Sequence, residues 1–448
     1  MKMVRQSQKS EGMQGGRGGS VVMGKEQRLQ SYQRAVFGAL FLGYACYTYN
    51  RKSVSYAIPT LLASGLITTS TIGIINSCQN TAYAISKFLG GILSDKMSAR
   101  VLFSIGLAVS GACTLIFSRT ENAVIWALLW FLNGFAQGAG WPACAKLLKK
   151  WFSPANFGTW WSVLTASSNV SGSLSPLLAA YVIINHGWSA SLIISGLLSV
   201  VMAGVTLVTL VDEPALAHLP DPTTSHTPTS SKSECSEKMT ARQLAASPFL
   251  WLVSVCYLIV FCSKTALADW GQVFLMEELG RSQMQASSFT SALETGGFFG
   301  GILAGVLTDK MASTVSMRGN ARLMVAASFM VACAAGLHFL RVFLTPHTSQ
   351  MVVSGVGVVL GASMFGPISI YGIVASETFP AHLSGTAHAV VALAANVGAV
   401  AAGWPLSWVA RTWSWGAVLL LLETMAASSV LLILSTSAIH LRPKPKMS

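Results

Sequence analysis

The sequence predicts an all-α membrane protein with twelve transmembrane helices, arranged as two six-helix halves around a central cavity. Three observations predict it. Of 448 residues, 52% are hydrophobic and only 10% charged, where a soluble domain carries about 25% charge; mean hydropathy is +0.56. Apolar runs of bilayer-crossing length, roughly 17–25 residues, recur at twelve places along the chain. A polar stretch rich in Pro, Thr and Ser, residues 212–247, divides them six and six and reads as a flexible linker.

The spans fall near 35–62, 71–94, 101–118, 122–147, 156–183 and 188–211 in the first half (34–211). In the second half (248–440) they fall near 285–308, 321–344, 350–375, 383–409 and 413–440, preceded by 248–276. Residues 1–33 are polar and glycine-rich, hold no cleavable signal peptide and read as a disordered tail. Basic residues crowd that tail (Lys2, Arg5, Lys9, Arg17, Lys25, Arg28, Arg34) and the loops after spans two, four and eight. Those loops carry Lys96 and Arg100, then Lys146, Lys149 and Lys150, then Lys310, Arg318 and Arg322. The last tail, 441–448, adds Arg442, Lys444 and Lys446, while the opposite side has little beyond Arg119, Arg281, Arg341 and Arg411. The positive-inside rule therefore places both termini and the linker in the cytosol. The net charge of +13 flanks membrane spans, which argues against nucleic acid as a partner. Eight cysteines show no C-x-x-C pair and read as small buried hydrophobes. The sequon at Asn169 lies inside the fifth span, where it should go unused.

The halves keep traces of a duplication. Gly91–Met97 (GILSDKM) recurs as Gly305–Met311 (GVLTDKM), an offset of 305 − 91 = 214. Gly158-Thr159, Val163 and Asn169-Val170 recur as Gly385-Thr386, Val390 and Asn396-Val397, an offset of 227. Against that frame two cations stand out: Arg51 in the first span and Lys264 in the seventh, 264 − 51 = 213 apart. A cation near mid-bilayer costs roughly 2.5–3.5 kcal/mol on insertion scales, so it faces a cavity or a partner. In carriers built from repeats the substrate site lies at the repeat interface near the midplane. Two cations facing one cavity, without an obvious acidic neighbour, call for an anion between them.

The loop after the second span carries Gly91, Asp95, Lys96 and Arg100, and its second copy keeps Gly305 and Asp309 but lacks the last basic residue. Glycine lets two helices approach, and the carboxylate can cap a neighbouring helix or pair with a base. This G-x-x-x-D-K pattern resembles the gating loop of the major facilitator superfamily, over nearly the whole chain. Further matches are Asn50-Arg51-Lys52, Tyr83–Lys87 (YAISK), Asn133–Pro142 (NGFAQGAGWP) and the run from Lys149 to Trp161. Together they resemble the organophosphate:phosphate antiporter branch of that superfamily, and within it the glucose-6-phosphate transporters of the endoplasmic reticulum. The segments that carry this last resemblance are residues 83–88, 130–134, 157–161 and 269–272.

The resemblance implies that Arg51 and Lys264 grip a phosphoryl group, exchanging glucose 6-phosphate for inorganic phosphate by alternating access. A sugar phosphate carries about −1.5 to −2 by analogy with phosphoserine, and an arginine fork with a lysine point charge suits it. Lys52 is a further candidate, with snorkelling as the alternative. Lys87 either lines the access path or reaches the cytosolic surface. His388 either donates to phosphate or packs between helices. Tyr83 and Trp141 suit a hexose face or simple aromatic packing. Glycerol-phosphate carriers of this branch place a His where Ser168 stands, which leaves hexose phosphate favoured. Lys444 and Lys446 resemble a retrieval signal of the endoplasmic reticulum membrane, and the resemblance implies functional coupling to a lumenal glucose-6-phosphatase. Rival readings are a proton-coupled sugar symporter using Glu294 or Asp269, and a non-cycling metabolite sensor. No catalytic triad, zinc spacing or phosphate-cradling glycine loop appears, so neither an enzyme nor a cofactor is expected.

Overall fold

The computed structural model describes residues 4–153, 157–220, 240–314, 318–379 and 381–440. Fourteen α-helices are formed among them: α1 (Val4–Ala63), α2 (Thr69–Lys96), α3 (Ala99–Phe117), α4 (Ala123–Gly138), α5 (Gly140–Trp151), α6 (Phe157–Thr209) and the short α7 (Ala241–Ala245) precede the second half. That half comprises α8 (Pro248–Glu277), α9 (Gln283–Thr314), α10 (Arg318–Val342), α11 (Gln350–Glu377), α12 (Ala381–Ala401), α13 (Trp404–Thr412) and α14 (Trp415–His440).

These make twelve membrane-crossing units. α4 continues into α5, and α12 into α13. α6 is two spans meeting at Gly187, whose φ of 84° and ψ of 167° no helix accommodates. Among the described residues nine stretches are both long and apolar enough to cross, with α6 counted once. α1 and α2 complete the set. They are more polar because they carry Asn50, Arg51, Lys52, Asn76, Gln79, Asn80 and Lys87. Outward faces are apolar and exposed, as at Val201, Val205 and Val208 on α6 and Leu420, Leu421 and Leu431 on α14. Such faces need lipid around them. Helix starts follow side-chain capping rules: Ser98 accepts from Val101 N–H at α3, Asn122 from Val124 and Ile125 at α4, and Ser247 from Leu250 at α8.

Two boundaries differ from the sequence expectation. α1 is continuous from Val4, so the glycine-rich stretch expected to be disordered joins the first span in one helix that no proline interrupts before Pro59. The linker expected over 212–247 has packed ends. Asp212 accepts from Ser98 and Arg100, Glu213 pairs with Lys150 at 3.3 Å, Leu219 is buried, and Thr240 with Gln243 forms a capping box on α7. Residues 221–239 and 441–448, including Lys444 and Lys446, lie outside the described residues. The seven described cysteines are free, and five are buried.

Each half packs within itself, α1 on α6, α2 on α4 and α3 on α6 in the first, α9 on α11, α8 on α12 and α10 on α14 in the second. The halves meet through α1–α8, α6–α9 and α2 with α12 and α13. Hydrogen bonds across that interface run from the far side to mid-span: Gln283 to Tyr56 at 3.1 Å, Ser77 to the Val400 carbonyl at 3.0 Å, Asn80 to Ala399 at 3.0 Å and Thr295 to Ser173 at 3.0 Å. These bonds tie the two halves together from mid-span to the far side.

Candidate functional site

Arg51 lies 63 − 51 = 12 residues from the far end of α1, and Lys264 lies 277 − 264 = 13 residues from the far end of α8. At 1.5 Å per residue both sit about 18–20 Å below that side, inside a hydrocarbon core about 30 Å thick. One comes from each half, on helices that touch. Among the described residues neither has a carboxylate within 4.0 Å, since the ion pairs there join Lys52, Lys150, His338 and Arg341 to acids.

The surroundings of Arg51 are polar and oriented. Its guanidinium carbon stands 4.8 Å from the centre of the Tyr83 ring, and the Tyr83 and Tyr44 phenols act on it electrostatically. The Arg51 carbonyl accepts from Gln79 Nε2 at 3.3 Å. Next to it, fully buried Asn50 accepts at Oδ1 from Asn133 (2.8 Å), Thr114 (3.2 Å) and Gln137 (3.3 Å). Asn133 in turn donates to the Ser110 carbonyl and accepts from Gln137 at 2.9 Å. This network joins α1, α2, α3 and α4, and fixes the helix segment that carries the arginine.

Lys264 has an apolar seat. Its Nζ lies 4.3 Å from the Phe365 ring centre and 5.6 Å from that of Phe261, cation–π contacts worth about 0.5–2 kcal/mol each. Glu294 is the acid within Coulombic reach of it, and Lys52 and Arg51 are the repelling charges.

Lys52, expected at the ligand, is committed elsewhere. Its Nζ pairs with Asp269 at 2.7 Å, and Ser55 donates to the same oxygen at 2.9 Å. Asp269 is only 4% exposed. This pair ties α1 to α8 across the halves. The rest of the segment 269–272 bonds within the second half: Trp270 Nε1 donates to the Ala402 carbonyl at 2.9 Å, and Gln272 bonds Thr290 at 3.2 Å. Between α12 and α13 the helix breaks, and Ser77 of the other half also accepts from the Trp404 N–H at 2.8 Å. Beside it Asn76 is buried with neither amide atom hydrogen-bonded to a described group.

The remaining expected residues separate into two groups. Lys87 lies 6.0 Å from the centre of the Tyr83 ring that Arg51 also approaches. Trp141 packs edge-on against Tyr44 at 4.8 Å and Trp161 at 4.9 Å. His388 is exposed on α12, with Nδ1 3.3 Å from the Gly372 carbonyl of α11; its described contacts are to that helix, not to Arg51 or Lys264. Gly91 and Asp95 fall in the last turns of α2 and Asp309 near the end of α9. Exposed Lys96 precedes a loop held from two directions: the Met97 carbonyl accepts from Lys146 at 3.1 Å, and Asp212 accepts from Ser98 at 2.5 Å and from the Arg100 N–H at 2.9 Å. A carboxylate at a helix N-terminus complements the helix dipole. Asp212 and the amide network around Asn50 were not singled out from sequence. The amides inside spans were the available signal; Asp212 had none, sitting where composition turns polar.

Comparison with known proteins agrees with this architecture. Residues 40–403 match the Major Facilitator Superfamily model. The membrane sensor protein UhpC of Salmonella typhimurium is 32% identical over 416 residues, covering 91% of this chain and 92% of that protein. A probable hexose phosphate transport protein of Chlamydia pneumoniae is 32% identical over 428 residues, covering 92% of each. Among solved structures, a bacterial homologue of the human lysosomal transporter Spinster, in an inward-facing and occupied conformation, superposes with a TM-score of 0.69 at 14% identity, covering 91% of this chain and 96% of that one.

Proposed function

The chain belongs to the major facilitator superfamily, and we propose that it exchanges glucose 6-phosphate for inorganic phosphate across the endoplasmic reticulum membrane by alternating access. One observation carries the reading: Arg51 and Lys264 come from opposite halves at one depth, within Coulombic reach of each other, neither within 4.0 Å of a described carboxylate. The names of relatives at 32% identity support hexose phosphate as the class of cargo. Arg51 offers a fork for two phosphoryl oxygens, and Lys264 adds a point charge. Trp141, Tyr44 and Tyr83 supply ring faces beside them for the sugar, with Lys87 near the Tyr83 ring.

Exchange follows from charge. Arg51 and Lys264 leave the empty site with excess positive charge even with Glu294 nearby, and occluding it in a low-dielectric core is costly. A bound phosphate anion of either kind offsets that charge and lets the halves rock about the site. Neither proton nor sodium is needed for the turn. In this conformation the Lys52–Asp269 pair and the helix ties beside it keep the far side shut, and substrate reaches the site from the side of the termini. The cytosolic placement of the termini rests on the basic loops, and the reticular location on Lys444 and Lys446, with a lumenal glucose-6-phosphatase as the functional partner.

The test is uptake of labelled glucose 6-phosphate into proteoliposomes with and without internal phosphate. Uptake only with phosphate inside is expected; equal uptake without it would overturn exchange. A second reading has one specific support, the 32% identity to a membrane sensor. A sensor would bind hexose phosphate and show no counterflow in the same vesicles.

A further inference from the structure

We propose that Glu294 is the specificity-determining residue for the organic part of the cargo: its carboxylate accepts hydrogen bonds from sugar hydroxyls while Arg51 and Lys264 hold the phosphoryl group. The assignment rests on the functional reading above and deepens it.

Glu294 lies 294 − 283 = 11 residues from the far end of α9, about 17 Å down, in the layer of Arg51 and Lys264. The other intramembrane carboxylates with described side chains have partners. Asp269 holds Lys52 and Ser55, Glu423 holds Arg341, and Glu277 accepts from Trp415 Nε1 at 2.8 Å. Among the described residues Glu294 has neither an ion pair within 4.0 Å nor a hydrogen bond. A half-buried carboxylate with no described hydrogen-bond partner and only the more distant Lys264 charge near it can take its hydrogen bonds from an incoming ligand.

Its position is built rather than incidental. A Cβ added to Gly172 of α6 would meet Glu294 Cγ, Cδ and Oε2 at 2.9–3.0 Å, so the glycine leaves the notch in which the carboxylate rests. One residue on, Thr295 donates to Ser173 at 3.0 Å, which fixes the register of α9 against α6. Its Coulombic neighbours are Lys264 on α8 and the Tyr56 phenol on α1; Lys264 in turn feels Lys52 and Arg51, and Tyr56 feels Asp269 and Arg51.

The chemistry then separates the two substrates. An ionised carboxylate accepts only. It repels phosphoryl oxygens and is satisfied by O–H donors, which a hexose supplies along its ring. Inorganic phosphate fills the two-cation end and leaves Glu294 to water. Hydrogen bonds to charged groups are the stronger class, so their loss should be felt by the sugar phosphate alone.

The experiment measures KM and kcat for labelled phosphate and labelled glucose 6-phosphate in phosphate-loaded proteoliposomes, for wild type, Glu294→Gln, Glu294→Ala and Gly172→Ala. Phosphate-for-phosphate exchange within about twofold of wild type is expected in all of them, which also reports folding. KM for glucose 6-phosphate should rise about tenfold or more in Glu294→Ala, less in Glu294→Gln, which keeps one acceptor oxygen, and in the same direction in Gly172→Ala. The wild-type preference for glucose 6-phosphate over its deoxy analogues should shrink in Glu294→Ala. Equal loss of both exchanges would mark a structural or proton-carrying role and overturn the assignment, as would an unchanged KM for the sugar phosphate. If wild type exchanged phosphate but no organophosphate, the functional reading would fall first and this assignment with it.

Discussion

Arg51 and Lys264 occupy matching places in duplicated halves, yet the protein houses them in opposite ways. Arg51 rests on a tyrosine face above a buried amide network drawn from four helices. Lys264 lies on phenylalanine faces, with one acid in Coulombic reach. A guanidinium has five donors in a fixed plane, so its usefulness depends on orientation. An ammonium is a compact charge that works from any approach. The first half therefore spends its polar residues on aiming, and the second leaves an adaptable charge in an apolar wall. The duplication supplied two equivalent positions, and their settings made them unequal partners for one anion.

That contrast can be broken at four places, in falling order of effect. Arg51→Lys keeps the charge and loses the fork. Truncating one partner of a buried charge pair costs about 2–5 kcal/mol, so exchange by Arg51→Lys should fall roughly 30-fold or more, while Lys264→Arg should lose less than about tenfold. Equal losses would show that orientation does not matter at the first site, and proteoliposome exchange rates decide it. Next, Lys52→Gln strands Asp269, 4% exposed, on Ser55 alone. The closed far side should loosen, seen as faster labelling by an impermeant thiol reagent of a cysteine placed at Ala57, buried on the same helix. Unchanged labelling would show that the pair does not hold the seal.

Third, Asn133→Ala removes a hub beneath Arg51 and leaves buried donors and acceptors without partners, about 1–3 kcal/mol each. It should lower Tm and raise KM for phosphate. Phe365→Leu beneath Lys264 keeps an apolar seat and should cost only about 0.5–1 kcal/mol. A larger KM effect at Phe365 would invert the comparison. Smallest is Tyr83→Phe, which keeps the ring face under Arg51 and removes only the phenol. A change in exchange above about threefold would mean that the hydroxyl, not the face, positions the guanidinium.

Much of this was legible in the sequence because it is written in local composition. Spans read at 248–276 and 350–375 form helices at Pro248–Glu277 and Gln350–Glu377, since apolar length alone sets a crossing. The equivalence of the two cations came from the repeat offset. What could not be read depends on tertiary approach. Nothing local distinguishes Lys52 from Arg51; only the crossing of α1 and α8 hands one to Asp269 and leaves the other facing the cavity. Gly172 looks like any small residue in a span until α9 lays a carboxylate on it. The break before α13 had a local signal that passed unread, Pro405 just inside the helix after Gly403. Asp212 was assigned to the linker by composition, although it caps α3.

The seam between α12 and α13 bears on how much energy a turnover must find. Its Ala399 and Val400 carbonyls and the Trp404 N–H bond Ser77 and Asn80 of the other half, the Val400 carbonyl accepting from the Gly403 N–H as well. Neutral bonds of this kind are worth about 0.5–1.5 kcal/mol net, because water offers nearly the same. When the far side parts, solvent can take over each of them, and Asn76, which has no described hydrogen-bond partner while shut in, gains hydration. The seam is thus a wettable joint, watertight when closed and cheap to flood. A cargo that offsets the site's excess positive charge can tip such a joint without any other source of work.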